Sequence, residues 1–493
     1  MGIIEKQATK NAIFSYLGAG LGFLTVLWLP QLLSTDENGL LRLLVSVVAL
    51  LAQFGNLGFT SVTIRFFPYF RNKANGHNGF LSYALVVSFI GFLLCWIVFL
   101  LFKKTLIETN LEKSGLFVDY LYYLMPLTFF TIFFNLFDSY LRAGFNSVIG
   151  SFTKDFLQRI LILALLAIYF GKLIDFNQFV FFYIAVTCLP TLILFGFILY
   201  KKEWHIKIQR GFLSKELKTD IYKLSFYAIL SGGAGAIILN IDAIMINQIL
   251  GLKKTGIYGI AMQFGTIMLI PARSLYRIMS SIVAENFKSK NIPAIHKLYN
   301  QSCNNQLAIG SLLYIGIMMN LDNIMQILPP EYADGKYVIV VLATGYLIEM
   351  ATGINQVIIA NSPYFRYDAF FVFIMVVIVI VANIIFIPVY GIIGSAIATA
   401  ITTIANNLLR FLFLRIKYEM QPYDVNSVKL LAIAAISYLA VYFIPALENL
   451  YVDIAVRSGI AVLVFLVLLL KLEAAPELNH KIRKNLKHLS IGN

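Results

Sequence analysis

Charge is what this sequence most conspicuously lacks. Asp, Glu, Lys and Arg supply 13% of its 493 residues, about half their usual share in a soluble domain. Hydrophobic residues supply 59%, and the mean hydropathy is +0.79. A soluble globule has no use for so much apolar surface, so the chain reads as a polytopic membrane protein. Cysteine is also scarce. Cys95, Cys188 and Cys303 lie in or beside apolar runs without metal-ligand spacing and read as small buried hydrophobes. No Gly-rich phosphate loop occurs, which excludes ATP hydrolysis by that route. The five histidines, His77, His205, His296, His480 and His488, fall in predicted loops or the tail, away from Cys and carboxylates at ligand spacing. Nothing implies a metal or another cofactor. No polar stretch is long enough for a soluble domain, and no acidic loop motif of a membrane glycosyltransferase is present. Met1 to Lys10 is polar and leads into a long first span, without the small-residue cleavage site of a signal peptide.

Long apolar runs are what the chain has instead. Spanning a bilayer takes about 20 residues. Fourteen candidates occur, at 11–33, 40–67, 79–102, 118–143, 150–171, 177–200, 221–250, 256–285, 302–328, 336–360, 367–387, 391–415, 428–447 and 451–470. Polar turns divide them, among them Ser34 to Gly39 and Asn75 to Gly79, and Pro329-Pro330 stops another. With a cytoplasmic N-terminus and alternating loops, thirty of the 39 Lys and Arg fall on the cytoplasmic side and nine on the other. This obeys the positive-inside rule and places both termini in the cytoplasm. The net charge of +14 is then a topological signal and an attraction to anionic membrane lipids, not a sign of nucleic acid. The Lys-rich link at 201–220 separates six spans from the next six, and two more follow. The tail from Glu473 to Asn493, with Lys481, Arg483, Lys484 and Lys487, reads as a solvated segment facing headgroups.

One hairpin occurs twice. Gln31-Leu32-Leu33, Asn38-Gly39-Leu40 and Phe70-Arg71-Asn72-Lys73 recur 217 residues on as Gln248-Ile249-Leu250, Thr255-Gly256-Ile257 and Phe287-Lys288-Ser289-Lys290. Pro68 opposite Glu285 breaks the match. Self-similarity at about half the chain length suggests two related halves. In a membrane chain, related halves suggest a transporter with its path at their interface.

Charges inside spans are costly to bury and are therefore functional candidates. The acids are Asp138, Asp242 and Glu349. The cations within or just inside span ends are Arg65, Arg142, Arg159, Arg273, Arg277 and Arg410. Asp138 and Arg142 are four apart on one helical face and can neutralise each other. Arg273 and Arg277 are also four apart, after Pro271. As like charges they call for an anion such as a substrate phosphate, or they snorkel to the cytoplasmic headgroups. Asp242, read as early in span seven behind Ser231-Gly232-Gly233-Ala234-Gly235 and flanked by Asn240 and Asn247, can titrate, hold a monovalent cation, or simply pair with an arginine. Glu349, near Asn355 and Gln356, allows the same readings. The glycines before Asp242 loosen the helix or serve close packing.

The segment Asp242-Ala243-Ile244-Met245-Ile246, Leu250-Gly251 and Thr255-Gly256-Ile257-Tyr258-Gly259-Ile260-Ala261 resembles span seven and its exit in bacterial polysaccharide transporters. Asn383-Ile384-Ile385-Phe386-Ile387-Pro388-Val389-Tyr390-Gly391-Ile392-Ile393-Gly394-Ser395-Ala396-Ile397-Ala398-Thr399 resembles that family's turn between spans eleven and twelve. These are the O-antigen and exopolysaccharide flippases of the multidrug/oligosaccharidyl-lipid/polysaccharide exporter superfamily. The resemblance implies an all-α polytopic membrane protein of about 14 transmembrane helices. Two pseudo-symmetric six-helix lobes would enclose a central cavity, with 1–212 as the first lobe, 213–420 as the second, and two additional spans and a basic tail in 421–493. It implies alternating access in a bacterial inner membrane for an undecaprenyl-pyrophosphate-linked oligosaccharide, with no enzymatic step. Arg65, Arg142, Arg273, Arg277 and Arg410 are the candidate pyrophosphate sites. Asp242, Glu349 and Asp138 are the candidate sites for a coupling monovalent cation or proton. Other glycan-assembly membrane proteins are candidate partners. Span one, Asn11 to Leu33, carries no charge, whereas the superfamily's peptidoglycan-precursor flippases place an arginine there, which speaks against that substrate. Its drug exporters are typically twelve-spanning, so the two additional spans disfavour a cation-coupled exporter of drugs or small metabolites. A glycan-assembly enzyme or scaffold is the third reading.

Overall fold

The computed structural model describes residues 3–72, 75–204, 214–480 and 483, apart from the side chains of 3–6, 8, 9 and 12. Lys73, His205, most of the basic link and the tail lysines Lys481, Lys484 and Lys487 lie outside the described residues. All secondary structure among the described residues is helical. Among the described residues, eleven helices are long and apolar enough to cross a membrane, and two bent pairs raise this to thirteen. The remaining sequence-predicted span, 150–171, is the helix 148–170, which carries three charges and is interrupted by a π-helical turn at Phe152–Leu157.

In chain order the helices are α1 (Ile3–Leu32), α2 (Thr35–Gly55, continued by Phe59–Phe70), α3 (Phe80–Asn110), α4 (Leu124–Ala143), α5 (148–170), α6 (Phe176–Tyr200) and α7 (Lys215–Leu250). Then come α8 (Leu252–Lys288), α9 (Ile292–Met319 with Leu321–Ile327), α10 (Pro330–Ala351 with Asn355–Asn361), α11 (Phe365–Tyr390), α12 (Ile392–Tyr418), α13 (Val425–Tyr442) and α14 (Leu450–Leu472). The chain divides into two compact units, 1–259 and 260–493.

In the first unit α2 begins earlier than the apolar pattern suggests. Ser34 and Glu37 form a reciprocal capping box, with Glu37 N–H donating to Ser34 Oγ at 3.3 Å and Ser34 N–H to Glu37 Oε2 at 2.7 Å. The polar stretch expected to be a turn is thus the first turn of the helix. α2 then kinks at Leu57-Gly58, both at positive φ. The kink faces α7, where Ser225 Oγ donates to the Leu57 carbonyl. Higher up, a Cβ on Gly232 would fall 2.2 Å from the Gln53 amide and one on Gly233 2.8 Å from the Phe54 ring. These glycines serve close packing, and α7 runs through them unbroken. The apolar core collects at both ends of the bundle, around Leu40, Phe117 and Phe179 at one and Phe70, Tyr140 and Ile198 at the other.

The two copies of the repeated hairpin touch at equivalent atoms. A Cβ on Gly39 would fall 2.1 Å from the Leu252 carbonyl oxygen, and one on Gly256 would fall 2.0 Å from the Thr35 carbonyl oxygen. Residues 35 and 39 map onto 252 and 256 by the 217-residue offset. This is a self-complementary, twofold-like contact within one chain, of the kind symmetric dimers make.

In the second unit α9 bends by 56° at Asn320 and α10 by 53° at 352–354. The α10 bend is built on Gly353 at φ +61°, where a Cβ would fall 2.6 Å from Ser302 Oγ and 2.7 Å from Cys303 Sγ. α13 and α14 are tied to α9 at both ends. Ser427 Oγ donates to Asn304 Oδ1 at 2.7 Å, and Asn304 donates to Asp424 at 3.2 Å. At the other end Asn323 donates to Asp453 at 2.6 Å and Asn320 to Ser458 at 3.1 Å.

Candidate functional site

The first unit gathers five charges where α1, α4 and α5 meet. α4 and α5 approach closely at Gly150, whose Cβ would fall 1.9 Å from Asp138 Oδ1, so the glycine leaves room for the carboxylate. Asp138 pairs with Arg142 one turn along α4, and their side chains are 14% and 49% exposed. On the other side of α5, a Cβ on Gly18 would fall 2.0 Å from the Asp155 carbonyl oxygen and one on Gly22 1.8 Å from the Arg159 guanidinium. α1 therefore lies directly on α5. Ser15 Oγ donates to Asp155 Oδ2 at 3.1 Å, and Arg159 donates to the Gly18 carbonyl. Lys154 turns toward α4, with its ammonium 4.4 Å from the centroid of the Phe134 ring. A cavity of about 590 Å³ nearby is lined by Gln7, Lys10, Phe14, Asn146, Ile149 and Phe152 among others, and by none of the eight sequence-predicted site residues.

Asp242 stands apart from this group. It lies in the last third of α7, not early in the span, because α7 runs from Lys215 to Leu250. Its carboxylate is 2% exposed and accepts a 2.6 Å hydrogen bond from Tyr258 Oη of α8. Asn247, read as flanking it, is engaged elsewhere: it donates to Asn110 Oδ1 at 2.6 Å and accepts from Ser114 Oγ at 2.7 Å.

The second unit brings Arg273, Glu349 and Arg410 into one neighbourhood. Arg410 of α12 is 4% exposed. It donates to Asp368 Oδ1 of α11 at 2.9 Å and to Gln356 Oε1 of α10 at 3.3 Å, while its Nε is buried without an acceptor. The bend in α10 positions two of these groups, with Glu349 before it and Gln356 after it. Asn407 of α12 fixes the bend by accepting from Thr352 Oγ1 at 2.7 Å and Asn355 Nδ2 at 3.0 Å. Glu349 lies in the field of Arg410 and Arg273, and Tyr276 in that of Glu349 and Arg410. Arg273 and Arg277 are exposed on α8, and Arg65 is exposed on the second segment of α2. None of these three has an ion pair or side-chain hydrogen bond among the described residues.

Sequence reasoning missed Asp368, Lys154 and Asp155. Lys154 counts as a loop cation in the charge tally, yet it stands inside α5. The repeated spacing was the available signal, because Asp155 and Arg159 sit four apart just as Asp138 and Arg142 do. No group of three or more His, Cys, Asp or Glu among the described residues is arranged to hold a metal ion.

The profile of the family described as polysaccharide biosynthesis protein matches residues 6–279, more than half of the chain. The chain belongs to that family. No curated protein matches it. Among solved structures, the lipid II flippase MurJ in its inward closed conformation is similar to this family member with a TM-score of 0.76 at 15% identity, over 93% of this chain and 97% of that one. An inward-facing multidrug resistance MATE family transporter of the MOP superfamily gives 0.64 at 16% identity, over 82% and 94%. A MATE transporter of Vibrio cholerae gives 0.57 at 13% identity, over 85% and 99%. At these identities the likeness is one of fold. The chain shares the fold of these MOP superfamily proteins, and this polysaccharide biosynthesis family member is a multi-pass membrane protein.

Proposed function

We propose that the protein is a flippase for an undecaprenyl-pyrophosphate-linked oligosaccharide, an O-antigen, capsule or exopolysaccharide repeat unit. It moves this lipid from the cytoplasmic to the outer leaflet of a bacterial inner membrane by alternating access, with both termini in the cytoplasm. The lobes are 1–212 and 213–420, with 421–493 as the additional pair and tail. The observation that carries the reading is three exposed spanning-helix arginines, Arg65, Arg273 and Arg277, with no ion pair or side-chain hydrogen bond among the described residues of a polysaccharide-family chain. Guanidinium groups left open in this way suit bidentate contact with a pyrophosphate. Arg142 and Arg410 join them only by exchanging Asp138 and Asp368 for substrate. Asp242, Glu349 and Asp138 are the groups through which a monovalent cation or proton couples to transport. The fold likeness to a lipid II flippase supports a lipid-linked cargo.

Reconstitution of the purified protein in liposomes with a labelled lipid-linked oligosaccharide tests the reading. Wild type is expected to make the label accessible from the opposite face, and the Arg273→Gln/Arg277→Gln double variant to lose this by at least about tenfold, from the loss of charge-assisted hydrogen bonds. The fold likeness to MATE transporters supports the second reading, a cation-coupled exporter of drugs or small metabolites. That reading predicts unchanged transport of small cations in the same variant. Sugar transfer by the purified protein would instead favour a glycan-assembly enzyme.

A further inference from the structure

We infer that Lys154, on the π-helical turn of α5, is a phosphate-binding residue of this protein. The inference rests on the lipid-linked pyrophosphate reading above and names a contact that the arginine set leaves out.

Lys154 begins a second turn into α5, roughly 9 Å from the start of the helix at 1.5 Å per residue. The five charges of this region are three cations, Arg142, Lys154 and Arg159, and two acids, Asp138 and Asp155. Four of the five have a hydrogen-bonded partner. Asp138 and Arg142 hold each other, Asp155 accepts from Ser15, and Arg159 donates to the Gly18 carbonyl. Lys154 makes no hydrogen bond or ion pair among the described residues. Its ammonium rests over the Phe134 ring at 4.4 Å, in the field of Asp138 and Asp155 but bonded to neither. A ring face attracts the charge but accepts none of its three N–H donors in the ordinary way. The N–H donors of this group are therefore open.

Its surroundings argue against snorkelling into lipid. Lys154 leans on the Phe134 and Asp138 face of α4, and Phe134 is 6% exposed and part of the apolar core. Lys154 is exposed as a residue, while its ammonium is held close against α4. Lys154 sits on the π turn. A π turn shifts the register of the side chains that follow it. Thr153 caps its own turn by donating to the Ile149 and Gly150 carbonyls at 2.9 and 3.1 Å. Within this register Asp155 and Arg159 turn to α1 while Lys154 turns to α4. An ammonium with open donors beside a neutralised pair binds an anion of compact charge, and a phosphate or pyrophosphate group fits that chemistry.

Native mass spectrometry of the full chain in detergent, titrated with undecaprenyl pyrophosphate, undecaprenol and inorganic pyrophosphate, tests this. Lys154→Met is expected to weaken undecaprenyl pyrophosphate binding by about tenfold or more, the scale of one charge-assisted contact, and to leave undecaprenol binding unchanged. Lys154→Arg is expected to retain most of it. Displacement of the lipid by inorganic pyrophosphate from wild type identifies the free anion as sufficient, whereas no displacement identifies the lipid-borne group. Amine-reactive labelling of wild type keeps the test independent of any variant's folding. Lys154 is expected to be protected by undecaprenyl pyrophosphate and not by undecaprenol. Equal binding by Lys154→Met and wild type, or labelling unaffected by the pyrophosphate lipid, overturns the assignment while leaving the flippase reading intact. Failure of wild type to bind undecaprenyl pyrophosphate overturns both.

Discussion

Two ion pairs, one in each unit, handle charge inside spans in opposite ways. In the first, Asp138 meets its arginine one turn away on the same helix, and Arg142 stays half exposed. In the second, Arg410 is 4% exposed and meets Asp368 across 42 residues of sequence, on a different helix. An ion pair formed along one helix demands nothing of the fold beyond the helix itself. One formed between helices requires α10, α11 and α12 to be in place, and it leaves a buried cation stranded if they are not. The first arrangement is adjustable and the second is structural.

Breaking the buried pair should produce the largest effect. Asp368→Asn leaves Arg410 uncompensated and is expected to cost about 3–5 kcal/mol, read as a loss of thermal stability in detergent. Adding Arg410→Met to it should recover most of that loss. Alanine at Gly39 or at Gly256 should come next, at about 1–3 kcal/mol each for forcing two backbones apart. The twofold-like contact predicts costs of similar size, so a large effect at one glycine and none at the other would refute it. Asn407→Ala unfastens Thr352 and Asn355 at the α10 bend and is expected to cost about 1–3 kcal/mol. Asp138→Asn should cost less than about 1 kcal/mol, because half-exposed pairs contribute little. A loss as large as that of Asp368→Asn would erase the contrast between the units.

The smallest effect is one of pH. Partial burial pushes the Asp424 carboxyl up, but hydrogen bonds from the Ser427 and Asn426 backbone and from the Asn304 and Asn300 side chains outweigh it and hold its pKa below the usual carboxylate range. A carboxyl depressed by folding stabilises the fold above its unfolded pKa, and the contribution disappears as pH falls through the folded value. Wild type should therefore exceed Asp424→Asn in stability at neutral pH and converge with it under acid. A gap that persists at the lowest pH would show that the N-cap geometry, not the charge, carries the effect.

What the sequence revealed follows from the range of each interaction. Span positions, the Asp138 and Arg142 pair and the repeated hairpin depend on residues near one another or on a fixed offset, and all are legible in the chain. The bends in α9 and α10 left little trace, because nothing in the sequence of the predicted span 336–360 distinguishes Gly353 at positive φ from a glycine that serves helix packing. Asp368 lies one residue inside a predicted span, and its partner is visible only in three dimensions. Lys154 was legible as a residue but not as an unpaired one. Pairing is a property of all its neighbours together, and α1, which engages Asp155 and Arg159, is remote from it in sequence.

The joint between Gly39 and Gly256 has a mechanical consequence. It is made of main-chain atoms on both sides, a carbonyl against an α-carbon, twice over. Side chains that interlock must change rotamer before two helices can shift, and each change resists the motion. A bare backbone contact has no rotamers to rearrange. The first turns of α2 and α8 therefore form a smooth bearing, a place where one helix can roll on another while their separation stays fixed.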